Sequence, residues 1–380
     1  SKTILQILPS LQSGGVERGT VDTAIALKEN GFTPIVISNG GILVQELEKH
    51  DITHIKFEVG TKNPLKTFSN IAKISKIIAE YNVDLVHVRS RAPMWSTYFA
   101  CKNHQKVKLV TTIHGPYSVG KGVLAKKLKK FYNSKMFEAD KVIVVSNFIK
   151  NYVLQNYQIP EEKIHLIHRG ADINFFDEAN ISPENVKQLK TKWNLLDEKR
   201  KIIFMPARFT SWKGHEFLLD ALAKISDKEF LCLLVGSNHG HENYQQRIAQ
   251  KISNLNLDDK VKILGVCKDM ASAYAISDFV ICSSVKPEAF GRIPIEAQAM
   301  KKPIISTKIG GALETVIDGK SGFLVEPNNI NEMSEAISKL LELSQNETVR
   351  MGEVGRKNVV ENFSNQKMIN QTLNIYRNLL

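Results

Sequence analysis

The stretch DFVICSSVKPEAFGRIPIEAQAM spans residues 278–300. Its first seven residues read as a strand buried on both faces. VKPEAF then reads as a loop, and a helix starts near Gly291. Pro294 suits the first helical turn, where its missing N–H costs nothing. A buried strand that runs through a loop into a helix is the unit of a parallel sheet covered by helices.

The same unit recurs on both sides of this stretch. Upstream lie TILQIL (3–8), PIVIS (34–38), DLVHV (84–88), KLVTTI (108–113), KVIVV (141–145) and KIHLI (163–167). Amphipathic stretches such as NIAKISKIIAEY (70–81) separate several of them. A polar connector follows at 177–200, poor in β-branched residues. The alternation resumes with KIIFMPA (201–207), FLCLLVG (230–236), KVKILG (260–265), DFVICSS (278–284) and KPIIST (302–307). The expected fold class is α/β: two Rossmann-like, doubly wound parallel-sheet domains, over residues 1–172 and 173–363. The tail 364–380 reads as one more helix, opened by Ser364 as N-cap.

The 380 residues suffice for two domains of ordinary size. No apolar run is long enough to span a bilayer. Cys101, Cys232, Cys267 and Cys282 form no CxxC pair and read as buried free thiols, which fits a reducing cytoplasm. No His or Cys spacing suggests a metal site. The formal charge of +12 suits an anionic partner: nucleic acid, a phosphorylated metabolite or an acidic membrane face. The lysines are not interleaved with aromatic stacking platforms, which argues against nucleic acid.

In open α/β sheets, ligands bind beyond the carboxyl ends of the strands. The first strand is followed by Ser13-Gly14-Gly15 and a helix from about Val16. Such a turn is either an anion site at a helix N-terminus or an ordinary strand-to-helix connection. In the second half, ARFTSWKG places Arg208 and Lys213 in one loop beside Gly214. The pair is either a diphosphate cradle or a solvated basic loop. Glu288 falls in the loop of the opening stretch and Glu296 in the helix. Eight helical residues would span about 12 Å. That is too far for a shared proton but suits the two ends of a polyhydroxylated ligand, with helix N–H groups between for a phosphate. Helix-dipole compensation would account for Glu296 and not for Glu288.

The residues Glu288-x7-Glu296 in PEAFGRIPIEA, Arg208 and Lys213-Gly214, and Gly14-Gly15 with Arg18 occur in an order that resembles the retaining glycosyltransferases of the GT-B fold, family 4. TTIHG with His114, VVSNF with Ser146, and the run Gly310 to Asn329 add to the likeness, which covers almost the whole chain. The resemblance implies a GT-B fold, with the two domains facing across a cleft and the helix 364–380 crossing back onto the first. It implies transfer of a sugar from a nucleotide-diphosphate sugar to an acceptor of a cell-surface polysaccharide, lipopolysaccharide or glycolipid. Catalytic roles would fall to Glu288, His114, Arg208 and Lys213. Gly14, Gly15, Arg208, Lys213, Glu288, Phe290, Gly291 and Glu296 would bind the donor. In that scheme Arg208 and Lys213 hold the diphosphate, Glu296 the ribose, Glu288 the transferred sugar, and Phe290 and Gly291 offer backbone N–H groups. No cofactor is expected. With no D-x-D sequence present, the two cations would take the place of a metal. A nucleotide-sugar epimerase or hydrolase of the same architecture is the alternative enzyme, and a basic nucleic-acid-binding protein is the alternative of another class.

Three further features lie off this pattern. Arg169 and Lys301 stand where such enzymes often carry Asn and Gly. Arg89 and Arg91 follow a strand of the first domain, on the acceptor side; they are either solvated surface or a site for an acidic acceptor. The segment 121–137 holds six lysines and no acid, with Leu124, Leu128, Phe131 and Tyr132 near one helical face. It is either an ordinary helix with a core face or a contact with an anionic membrane carrying a lipid-linked acceptor, at the inner face of the cytoplasmic membrane.

Overall fold

A computed structural model describes residues 1–12, 14–61, 63–117 and 122–380. The chain divides into two compact units, Ser1–His168 with Met368–Leu380, and Arg169–Lys367.

The first unit holds a sheet of β1 (Thr3–Ile7), β2 (Thr33–Ser38), β3 (Thr53–Lys56), β4 (Leu85–Val88), β5 (Lys108–Ile113), β6 (Lys141–Val144) and β7 (Ile164–Leu166). Their order is β3-β2-β1-β4-β5-β6-β7, with every pairing parallel. Residues of β1 and β4 are buried throughout, because helices cover both faces of the sheet. One cover is the helix Asn365–Leu379, which packs Ile369, Leu373 and Tyr376 against Ile4, Leu85, Val110 and Ile143. Each such side chain contributes roughly 1.5–3 kcal/mol on burial.

The second unit holds β8 (Lys201–Pro206), β9 (Phe230–Val235), β10 (Val261–Leu264), β11 (Phe279–Cys282), β12 (Ile304–Thr307) and β13 (Gly322–Val325), in the order β10-β9-β8-β11-β12-β13. All its pairings are parallel too. Both sheets are α/β and doubly wound. In each, the chain runs outward from the first strand on one side and then returns to its other side. The switch points are therefore β1/β4 and β8/β11, where open sheets offer a crevice.

Two details settle local questions. Lys301 adopts φ +54°, the left-handed region, just past the helix Arg292–Ala299. A glycine is favoured there, and lysine fits at a small cost while its Nζ pairs with Glu353 at 2.7 Å. Cys101, Cys232 and Cys282 are buried free thiols, whereas Cys267 is half-buried.

Candidate active site

In the second unit, the loops after β8, β11 and β12 are stitched together at the carboxyl edge of the sheet. Ser283 Oγ donates to the carbonyls of Lys213 (3.0 Å) and Gly214 (3.2 Å), and Val285 N–H donates to Trp212 O at 2.8 Å. Thr307 Oγ1 donates to Ser284 O at 2.7 Å. Gly214 has φ +77°, and a Cβ there would lie 1.9 Å from Ser283 O, so the close approach of these loops requires glycine.

This stitching brings Lys213 and Glu288 together. Lys213 Nζ lies 2.6 Å from Glu288 Oε1, with 10% and 18% of the two side chains exposed. Ser284 Oγ donates to the same oxygen at 2.5 Å, and the Cys282 thiol approaches it at 3.8 Å. Three donors thus converge on Oε1. Among the described residues none donates to Oε2, which is left to accept from a hydroxyl. Lys213 also lies 4.3 Å from the centroid of the Trp212 ring. An ammonium has three donors, so one interaction with Glu288 leaves capacity for an anion.

The backbone of Glu288 is pinned from β12. Gly311 N–H donates to Glu288 O at 2.9 Å. Gly310 has φ +59°, and a Cβ on it would fall 2.4 Å from that carbonyl oxygen. Phe290 buries its ring 5.8 Å from that of Phe363, and Gly291, at φ +81°, caps the helix Arg292–Ala299.

Glu296 lies in the second turn of that helix rather than the first, so it does not compensate the dipole. Its Oε1 pairs with Arg292 at 2.9 Å, and Tyr274 OH donates to its Oε2 at 3.0 Å. Burial raises its carboxyl above the ordinary value, while Arg292 and Tyr274 pull the other way. Glu288 and Glu296 therefore have separate partners, consistent with their spacing. Arg208 is exposed beside β8 and lines a cavity of about 440 Å³ with Trp212, His241, Tyr244 and Arg247. His215, next after Gly214, stacks on Phe209 at 4.7 Å; burial pulls its imidazole down to about 4, so it is neutral near pH 7. Ser284, Tyr274 and Gly310 were given no role from the sequence. Ser284 lies two residues past the apolar strand β11, and a polar residue at that strand end is the signal it carries.

In the first unit, Gly14 caps the helix Gly15–Glu29. A Cβ on Gly14 would lie 2.1 Å from a carboxylate oxygen of Glu17, so that acid folds over the helix mouth. Arg18 is committed to Glu46 at 2.5 Å and Asp22 at 2.7 Å. Ser13 lies outside the described residues. His114 follows β5 and, with Arg89 and Arg91 after β4, lines a cavity of about 390 Å³. These residues share the β1/β4 switch-point edge.

The chain matches the family description "Glycosyl transferases group 1" over residues 186–358 and "Glycosyltransferase Family 4" over residues 13–175. It is 44% identical to a glycosyltransferase from Rickettsia africae ESF-5, over 100% of this chain and 98% of that one, with a TM-score of 0.91. It is 25% identical to Anabaena Alr3699/HepE, solved in complex with UDP, over 100% of both chains, with a TM-score of 0.84. It is also 28% identical over 337 residues to N-acetyl-alpha-D-glucosaminyl L-malate synthase of Bacillus anthracis, which covers 87% of this chain and 84% of that protein. With two doubly wound sheets and these relatives, the chain belongs to the glycosyltransferases of the GT-B fold, group 1 and family 4.

Proposed function

We propose that this protein is a retaining glycosyltransferase that moves a sugar from a nucleotide-diphosphate sugar to a saccharide or lipid-linked acceptor in the synthesis of a surface polysaccharide, lipopolysaccharide or glycolipid. The observation that carries this reading is Glu288. One carboxylate oxygen is saturated by Lys213, Ser284 and Cys282, and the other is left for a sugar hydroxyl. In the reaction, the bond from the anomeric carbon to the diphosphate oxygen breaks. A bond to the acceptor hydroxyl oxygen forms, and the hydroxyl proton is released. Negative charge grows on the leaving diphosphate, where Lys213 and Arg208 stabilise it as a metal otherwise would. Phe290 and Gly291 offer backbone N–H groups, and Glu296 takes ribose hydroxyls. The HepE complex with UDP supports a uridine donor. Calorimetry with UDP, GDP and ADP sugars, followed by mass spectrometry for sugar release, tests the reading. Binding of UDP and its sugar with slow donor hydrolysis is expected; no binding of any of the three sinks it.

We further propose that the protein works at the inner face of the cytoplasmic membrane. No helix among the described residues is long and apolar enough to cross a membrane. The helix Val123–Ser134, however, leaves Val123, Leu124, Leu128 and Phe131 exposed by 75%, 72%, 61% and 61%. An ordinary core face would bury them. Of the expected face, Tyr132 turns inward and stacks on Trp95, and the largely exposed Phe131 ring lies 5.5 Å from the same indole. Lys126, Lys127, Lys129 and Lys130 share the helix; Lys121 lies outside the described residues. A lysine near an anionic surface contributes about 1 kcal/mol. Changing all four to Glu should lower vesicle flotation with phosphatidylserine by about a thousandfold in partition. Equal flotation of the two proteins would refute the contact.

A further inference from the structure

Arg89 is an unusual residue for its surroundings. Only 6% of it is exposed, and it lies beside His87 and Tyr376, which are also buried. A buried guanidinium normally needs a carboxylate. Among the described residues no carboxylate lies within ion-pairing distance of Arg89, and its Nε has no hydrogen-bond partner. Tyr376 hydrogen-bonds the guanidinium and the Asp22 carboxylate acts on it from beyond ion-pairing distance, while His87 and Tyr376 themselves are neutral. Burial holds the His87 imidazole well below its ordinary value and raises the Tyr376 phenol. His87 Nδ1 is hydrogen-bonded to Tyr376 and its Nε2 to Thr112 Oγ1 at 2.7 Å, so both ring nitrogens are committed. Arg89 Nη1 lies 3.5 Å from His87 Nδ1, a marginal contact. Gly19 leaves room for Nη2, since a Cβ there would come within 3.3 Å of it.

The guanidinium, with no ion pair among the described residues and its Nε unpartnered, lines the cavity at the β1/β4 switch point. Arg91 lines it too, held by Asn133 at 2.8 Å and resting 5.0 Å from the Tyr117 ring centroid. Among the described lining residues Glu17 is the single acid, against two arginines. The arrangement has the parts of an anion site: a buried fork with free donor capacity, a second fork fixed by packing, and the Thr112 hydroxyl nearby.

Resting on the glycosyltransferase reading, we infer that this cavity takes a carboxylate or phosphate of the acceptor on Arg89 and Arg91, so that the acceptor is an acidic molecule. Donor chemistry lies in the second unit and anion recognition in the first. The site selects acceptors by charge, and His87 and Tyr376 are positioning residues for Arg89.

The probes are inorganic phosphate and malonate, titrated into the 380-residue chain labelled with ¹⁵N-arginine at constant ionic strength set with chloride. Arg89→Lys assigns the Arg89 Nε–H signal by removing it. That signal should shift saturably with phosphate or malonate, and the anion that shifts it identifies the class. Arg91→Gln, at a half-buried position, should weaken that binding about tenfold or more. Lys213→Ala should leave the shift in place, which separates this site from any phosphate held at the donor site. UDP calorimetry on the same samples keeps the two readings apart. Absence of UDP binding would count against the donor assignment, while the Arg89 response would still report on the anion site. No saturable shift with either probe, or an Arg91→Gln titration that matches wild type, overturns the inference.

Discussion

Replacing Glu288 with alanine should lower turnover by about 10²–10³-fold while UDP binding holds or tightens. The sign of the binding change follows from the ion pair. Glu288 Oε1 neutralises part of the charge on Lys213 at 2.6 Å. Removing the carboxylate frees that ammonium for a diphosphate, so the nucleotide loses nothing. Turnover falls because Oε2 no longer meets the transferred sugar. Glu288→Gln is the control, since it keeps the side-chain shape and an acceptor for Ser284. Steady-state rates beside UDP calorimetry decide the matter. A parallel loss of UDP binding and turnover would mean that Glu288 acts only by holding Lys213.

Lys213→Ala should weaken UDP about ten- to a hundredfold, the scale of one lost charge-assisted contact. Turnover at saturating donor should fall by a further 10²–10³-fold or so, because charge on the leaving diphosphate is greatest in the transition state. The variant also leaves Glu288 largely buried beside Ser284 and Cys282 without a cation, which lowers stability. The double variant Lys213→Ala with Glu288→Ala separates these effects. It should regain much of the lost melting temperature and none of the lost UDP affinity. If it regained both, Lys213 would serve the fold and not the ligand.

Much of this architecture could be read from runs of sequence, and the gaps have physical causes. Eleven of the strands were evident as apolar, β-branched runs. β3 and β13 were not, and both are edge strands. β3 is THIK, half-exposed, so it lacks the apolar signature of a strand covered on both faces. β13 begins at Gly322, which carries no strand signal. Glu288, Lys213 and Arg208 stood out because charge in a loop after a buried strand has few structural uses. Ser284, Tyr274 and Gly310 did not, because their roles depend on partners 4, 22 and 22 positions away, across loops whose approach no local pattern records. The lysine-rich helix showed its amphipathic face in sequence. Only the structure shows that the leucines and most of Phe131 are exposed and not buried in a core.

The contact between His87 and Tyr376 spans 289 positions of chain. The strands of the first unit are made before the second unit, yet one of the helices covering their sheet is made after it. At about 5–20 residues per second, the ribosome needs on the order of 10–40 s to add the intervening second unit, Arg169–Lys367. Through that interval Ile4, Leu85 and Val110 await their partners, so the nascent amino-terminal half is a natural client for holding chaperones.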